Sequence, residues 1–275
     1  MGRFAKSGQM YIRLWILGVF SIGIILAAIL LPPVSQPMAY HQFADQRLYF
    51  NIPNFLNVVS NLVFLLSGAM GLLFLYRSAQ SSLHCAFIKK SECWPYLILF
   101  LSVVLTCCGS AYYHWAPDNE RLLWDRLPIA IGVTALLAAT VVERIHLKLG
   151  LWLMPVLITL GIGSVLYWYW SEQRGVGNLN FYIVTQFYSL LLIVLLGMFF
   201  PSRYTRGTDI YWVMVLYGLS KLAETFDHVL YELGQLVSGH TVKHLLAAFA
   251  VFWILRMLQR REPVSHIARK DGVSM

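Results

Sequence analysis

Three histidines, an aspartate and a serine stand out against the apolar background of this 275-residue chain. His240 and His244 lie four positions apart, and so do Ser110 and His114. Residues four apart share one face of a helix. Two imidazoles so placed can hold one metal ion from a single helix, as in the H-x-x-x-H pair of zinc hydrolases. Alone, such a pair is more often surface or core packing; a third histidine at the same depth changes the balance. Three histidines match a catalytic zinc site, with three protein ligands and one position open to water. Zinc there lowers the pKa of its water to about 7. Asp125 is then placed to take or give a proton, and Ser110 to donate to a developing oxyanion. Plainer readings compete. His114 can hydrogen-bond at headgroup level, and Ser110 can bond back to its own helix. Asp125 can pair with Arg126, although adjacent helix positions point in different directions. Haem is the rival use of paired histidines, but it takes ligands from facing helices and leaves Asp125 without a role.

The elements that must position these groups are membrane spans. Apolar residues make up 58 % of the chain and charged residues 12 %, and mean hydropathy is +0.63. An ordinary soluble domain is about 45–50 % apolar and about 25 % charged. The expected fold is therefore an all-α polytopic transmembrane helix bundle. A spanning helix needs about 20 mainly apolar residues. Eight segments qualify: 11–33, 54–76, 94–114, 121–142, 150–170, 179–200, 210–228 and 239–258. The seventh is the weakest, because Lys221, Glu224 and Asp227 interrupt it. The first follows Arg3 and Lys6 but is longer than a signal-peptide core and lacks a clean cleavage site, so it reads as an uncleaved anchor.

The net charge of +8 carries no contiguous basic stripe, which argues against nucleic acid as a partner. The basic residues sit mostly between the spans, where they set topology and attract anionic headgroups. With both termini cytoplasmic, inner segments hold 13 Lys and Arg and outer loops hold 3 (Arg47, Arg121 and Arg174). Alternation then places the end of the third span and the starts of the fourth and eighth at one membrane face. His114, Asp125, His240 and His244 share that depth. Cys85, Cys93, Cys107 and Cys108 form no C-x-x-C pair, and Cys107 and Cys108 read as packing residues.

Two further polar stripes interrupt apolar spans. Asn57, Ser60 and Asn61 share one face of the second span and read as interhelical hydrogen bonding. Lys221, Glu224 and Asp227 recur every three residues and read as an internal ion-pair ladder, with an ion pathway as the transporter alternative.

At these residues the sequence resembles the alkaline ceramidases of the CREST superfamily of membrane hydrolases. The resemblance rests on Asn54-Phe55-Leu56-Asn57-Val58-Val59-Ser60-Asn61, Gly109-Ser110-x-x-x-His114, Asp125, and His240-x-x-x-His244, in that order, from about residue 45 to about residue 258. The segment from Tyr40 to Arg47 is similar to bacterial members. The resemblance implies seven helices around an intramembrane zinc, with residues 1–36 as a tail and extra helix, 37–259 as the core and 260–275 as a basic cytoplasmic tail. It implies His114, His240 and His244 as zinc ligands, Ser110 and Asp125 as catalytic groups, and cleavage of ceramide-like amides to a sphingoid base and a fatty acid. It also implies a bacterial inner membrane, while the charge bias puts the site near the outer face. Eukaryotic members carry an acidic calcium site before this first core helix. Here the residue before Phe55 is Asn54 and only Asp45 is acidic nearby. Asp45 is thus the one candidate calcium ligand, a thin donor set for an ion that takes several carboxylate oxygens.

The leading expectation is a zinc-dependent lipid amidase with a membrane lipid as substrate. A hydrolase of other N-acyl or ester lipids, a receptor-like seven-helix protein and a transporter stay open beside it. The sequence does not fix an oligomeric state.

Overall fold

A computed structural model describes residues 2–80 and 86–265, with side chains from residue 8 onward. Cys85, the basic-tail residues Arg269 and Lys270, and the side chains of Arg3 and Lys6 lie outside the described residues. The elements are α1 (Gly2–Leu30), α2 (Phe55–Val59), α3 (Leu62–Gln80), α4 (Trp94–Trp115), α5 (Asn119–Arg144), α6 (Leu147–Gln173), α7 (Asn180–Ile183), α8 (Ser189–Phe199), α9 (Asp209–Thr225), α10 (Asp227–Glu232) and α11 (Gly239–Arg260). A π-helical turn, Val184–Tyr188, joins α7 to α8. There is no β-strand among the described residues. The chain is an all-α helix bundle, as expected.

Among the described residues, seven segments are long and apolar enough to cross a membrane: Gly8–Leu30, Phe55–Gln80, Lys90–Trp115, Asn119–Arg144, Leu147–Gln173, Asn180–Phe199 and Gly239–Arg260. The chain is therefore a multi-pass membrane protein. The remaining segment expected to span is α9, a helix of 17 residues, shorter than the other seven. It ends at Phe226 and continues as α10. Its charged residues are the reason for the weak apolar signal, and they turn toward α11 instead of lipid, as Lys221 and Glu224 show below.

α5 forms the centre. Its sequence is rich in small residues, and Ala130, Ala135, Ala138 and Ala139 are all buried. Small side chains let neighbouring helices approach closely where no hydrophobic effect drives them together. α4 and α6 pack against α5 on either side. Pro128 sits inside α5 and Pro155 inside α6, which a packed membrane helix tolerates. Asp118 caps α5 by accepting from the Arg121 backbone N–H, and Ser238 caps α11 by accepting from that of Thr241; each satisfies one otherwise orphan donor.

α1 lies at the margin, against the segment that holds α7. The Asn180 Nδ2 donates to the carbonyls of Leu31 and Pro32 just past the end of α1, at 3.3 and 3.1 Å. Ser21 and Tyr188 share a hydroxyl–hydroxyl hydrogen bond of 2.6 Å.

Candidate metal centre and active site

His114 closes α4, and His240 and His244 open α11. One ring nitrogen from each lies within 4.8 Å of the others, and all three residues are buried. The Nε2 atoms of His114 and His240 are 3.2 Å apart. Tetrahedral zinc with Zn–N of about 2.0–2.1 Å sets ligand nitrogens about 3.3 Å apart. The His244 Nε2 is buried without a hydrogen-bond partner. A buried polar atom without a partner is costly, and a metal ion would satisfy it together with the two facing nitrogens. The donor set therefore fits a metal of the kind that imidazole prefers.

Several residues hold the histidines in place. The His244 Nδ1 lies 2.7 Å from the Ser60 Oγ. With Nε2 as the ligand atom, Nδ1 carries the proton and donates to that oxygen. Ser60 in turn donates to the Asn57 carbonyl at 3.3 Å. The Asn57 Oδ1 accepts from the Thr241 Oγ1 at 2.9 Å and from the Ser238 Oγ at 3.3 Å. Asn57 and Ser60 of the polar stripe expected on the second span thus bond between helices and reach the first turn of α11, whereas Asn61 donates to the Asn57 and Val58 carbonyls of its own segment. It also falls where that span divides into α2 and α3. Asn54 has a left-handed backbone, φ 48°, which asparagine adopts more readily than most residues. Its Nδ2 donates to the His114 carbonyl at 2.8 Å. The Phe43 ring packs on His114 and His240 with centroids at 4.7 and 4.6 Å, closing the cluster from the loop before α2. Removing the Ser60 hydroxyl by Ser60→Ala should weaken metal affinity about 10–100-fold while the fold persists. Metal competition with a chromogenic chelator measures this; wild-type affinity in the variant would deny Ser60 its orienting role.

Two close backbone approaches bring the elements together. A Cβ on Gly109 would stand 2.1 Å from the Trp124 carbonyl oxygen. Only glycine lets α4 pass α5 so closely at the level of Ser110 and Asp125. A Cβ on Gly239 would stand 2.1 Å from the Ala223 carbonyl oxygen, so the start of α11 meets the end of α9 in the same way. Asp227 fixes that junction. Its Oδ1 accepts from the His240 backbone N–H at 2.7 Å and its Oδ2 from that of Ala44 at 2.9 Å.

Ser110 and Asp125 are buried and interact through their side chains. Both line a cavity of about 130 Å³ that also takes in His244. Arg126, Lys221 and Lys243 share its polar end, and Leu99, Val103, Leu136, Val251 and Ile254 line the apolar remainder. From Ser110 to Leu99 along α4 is about 16 Å at the helical rise per residue. Asp125 makes no ion pair with Arg126 among the described residues. Arg126 turns away, over the ring faces of Trp168 and Tyr182.

The ladder expected on the seventh segment takes a different form. Glu224 binds Lys221 at 2.8 Å and, across to α11, Lys243 at 2.5 Å. Tyr40 donates to the same carboxylate at 3.1 Å. Burial, reinforced by Glu224, raises the Tyr40 phenol above its ordinary value, so it remains a donor. Asp227 belongs instead to the backbone junction described above, because Phe226 breaks the helix between them. Lys243 stands 3.4 Å from the His240 Nε2. The sequence signal for it and for Arg126 was present, since both are cations inside apolar spans.

Asp45 is buried with both carboxylate oxygens taken by Arg47, at 2.8 Å each. The Arg47 backbone N–H donates to it as well. Calcium needs six to eight oxygen ligands, and this guanidinium-bound carboxylate does not fit it. Cys107 is buried and Cys108 exposed, so packing accounts for the first alone.

Set against models of known protein families, curated proteins and solved structures, the chain matches none.

Proposed function

We propose that this chain is a zinc-dependent intramembrane hydrolase that cleaves the N-acyl bond of ceramide-like lipids. The observation that carries the reading is the cavity. It joins His244, one of three clustered histidines, to Ser110 and Asp125 at the polar end of an otherwise apolar chamber. Zinc held by His114, His240 and His244 would supply an activated water and polarise the acyl carbonyl. Asp125 accepts a proton at its carboxylate and returns it to the departing nitrogen. The Ser110 hydroxyl, beside that carboxylate, donates toward the carbonyl oxygen as charge develops there and the carboxylate takes up its proton. Leu99, Val103 and Ile254 take the acyl chain out of water. The apolar walls and the site at the end of α4 suit a lipid whose amide lies near headgroup level. The products are a sphingoid base and a fatty acid.

The test is incubation of purified protein with a panel of N-acyl and ester lipids, followed by mass spectrometry of the products. Release of fatty acid from amides supports the reading. Cleavage confined to esters moves the enzyme to a lipid esterase of the same mechanism. A zinc-loaded protein that cleaves nothing on a broad panel favours a receptor-like role instead. The transporter reading draws less support, because Lys221, Glu224 and Lys243 are bound to one another.

Orientation belongs to the same proposal. The charge bias places both termini in the cytoplasm and the histidines near the outer face, with a bacterial inner membrane as the setting. A reporter fused after residue 262 should read cytoplasmic and one inserted near residue 118 should read on the opposite side. Both on one side would refute α9 and α10 as a crossing segment.

A further inference from the structure

The polar end of the cavity gathers cations that are not all paired alike. Arg126, Lys221 and Lys243 all line it. The two lysines share Glu224. Asp125 faces Ser110, and Asp227 is engaged by two backbone N–H groups. Arg126 makes no ion pair among the described residues, although it is only 5 % exposed. Its Nη2 donates to the Gln36 Oε1 at 2.6 Å, and its Nη1 is buried without a partner. Glu172, in the same network, accepts from the Gln36 backbone N–H and the Trp168 indole. The ring faces of Trp168 and Tyr182 lie 4.2 and 4.7 Å from the guanidinium carbon and fix its plane.

A buried cation without a counter-charge is expensive, and inside a membrane domain such a group is usually functional. Aromatic stacking and the Gln36 bond leave the Nη1 corner of the guanidinium without a partner among the described residues. A guanidinium edge matches the paired oxygens of a carboxylate or phosphate. We propose that the lipid taken into this cavity carries an anionic oxygen group beside its amide, and that Arg126 binds that group. The inference rests on the hydrolase reading and narrows it, from neutral ceramides to N-acyl lipids with a charged head. The anion gives the Arg126 Nη1 the partner it lacks among the described residues. It also fixes the depth of the headgroup, and so places the amide against Asp125 and Ser110.

Matched lipid pairs test this without relying on turnover. Ceramide 1-phosphate against ceramide, and N-oleoylglycine against N-oleoylethanolamine, differ chiefly in the charge of the head. Binding to the purified full-length protein is measured by native mass spectrometry or tryptophan fluorescence. At least one anionic member should bind about tenfold tighter or better than its neutral partner, and the pair that responds identifies phosphate or carboxylate. Arg126→Gln should erase the gap, and Arg126→Lys should keep part of it. Equal binding within both pairs for the wild type overturns the proposal, whether or not either variant folds. So does an undiminished gap in an Arg126→Gln protein with wild-type thermal stability. Displacement of bound lipid by inorganic phosphate alone would assign the site to a free anion and overturn it too. Hydrolysis followed in parallel separates the two readings. Turnover without anion preference removes only this inference. Anion preference without turnover removes only the hydrolase.

Discussion

His244→Ala protein, purified intact, should hold little zinc where the wild type holds about one ion per chain, and should release no fatty acid from any lipid. His114→Ala should behave alike. The expectation follows from the small donor set. Among the described residues the cluster offers three imidazoles, and losing one leaves two for an ion that takes three or four protein ligands. The effect should not come from collapse of the fold. α11 is capped by Ser238 and held by Asp227 and Asn57 without help from the His244 ring. Elemental analysis of detergent-purified protein, with a thermal melt beside it, makes the measurement. Full zinc occupancy in both variants would remove the three-histidine site, and with it the proposed chemistry.

Asp125→Asn is the second large effect, and it separates proton transfer from metal binding. Asparagine is nearly isosteric with aspartate, so packing against α4 survives while the group no longer takes a proton. Zinc content should match wild type and turnover should fall about 10²–10⁴-fold, the usual cost of losing a general acid or base. Ser110→Ala should lower turnover about 10²–10³-fold if its hydroxyl donates to the oxyanion. A hydroxyl that serves only to hold Asp125 would cost far less. Turnover on the same lipid panel, with zinc measured in each variant, decides between these. Near-normal turnover of a zinc-loaded Asp125→Asn protein would show that another group moves the proton.

Composition alone determines that this chain lives in a membrane. Its charged fraction is too small to coat a soluble globule, and the apolar runs have the length of a bilayer crossing. The i, i+4 spacing of His240 and His244 places both on one helix face whatever surrounds them, and alternation of spans brings His114 and Asp125 to the same depth. Helical period and bilayer thickness are local constraints, so a sequence reveals them. Partner choice is not local. The serine that answers the His244 Nδ1 is Ser60, 184 residues away. Nothing in its stripe of polar residues says which histidine it meets. Likewise, the spacing of Lys221, Glu224 and Asp227 suggested one ladder. The break at Phe226 and the approach of Lys243 divided it into an ion cluster and a backbone clamp. No periodic signal marks Gly109 or Gly239 as a close helix crossing, so that role is not legible in the sequence. Arg126 is the clearest case. Sequence places a cation next to Asp125, but only the packed rings of Trp168 and Tyr182 turn it from its neighbour and leave it with no ion pair among the described residues. Helix period is written in the order of residues, whereas charge balance depends on which helices meet, and that is settled only when the bundle closes.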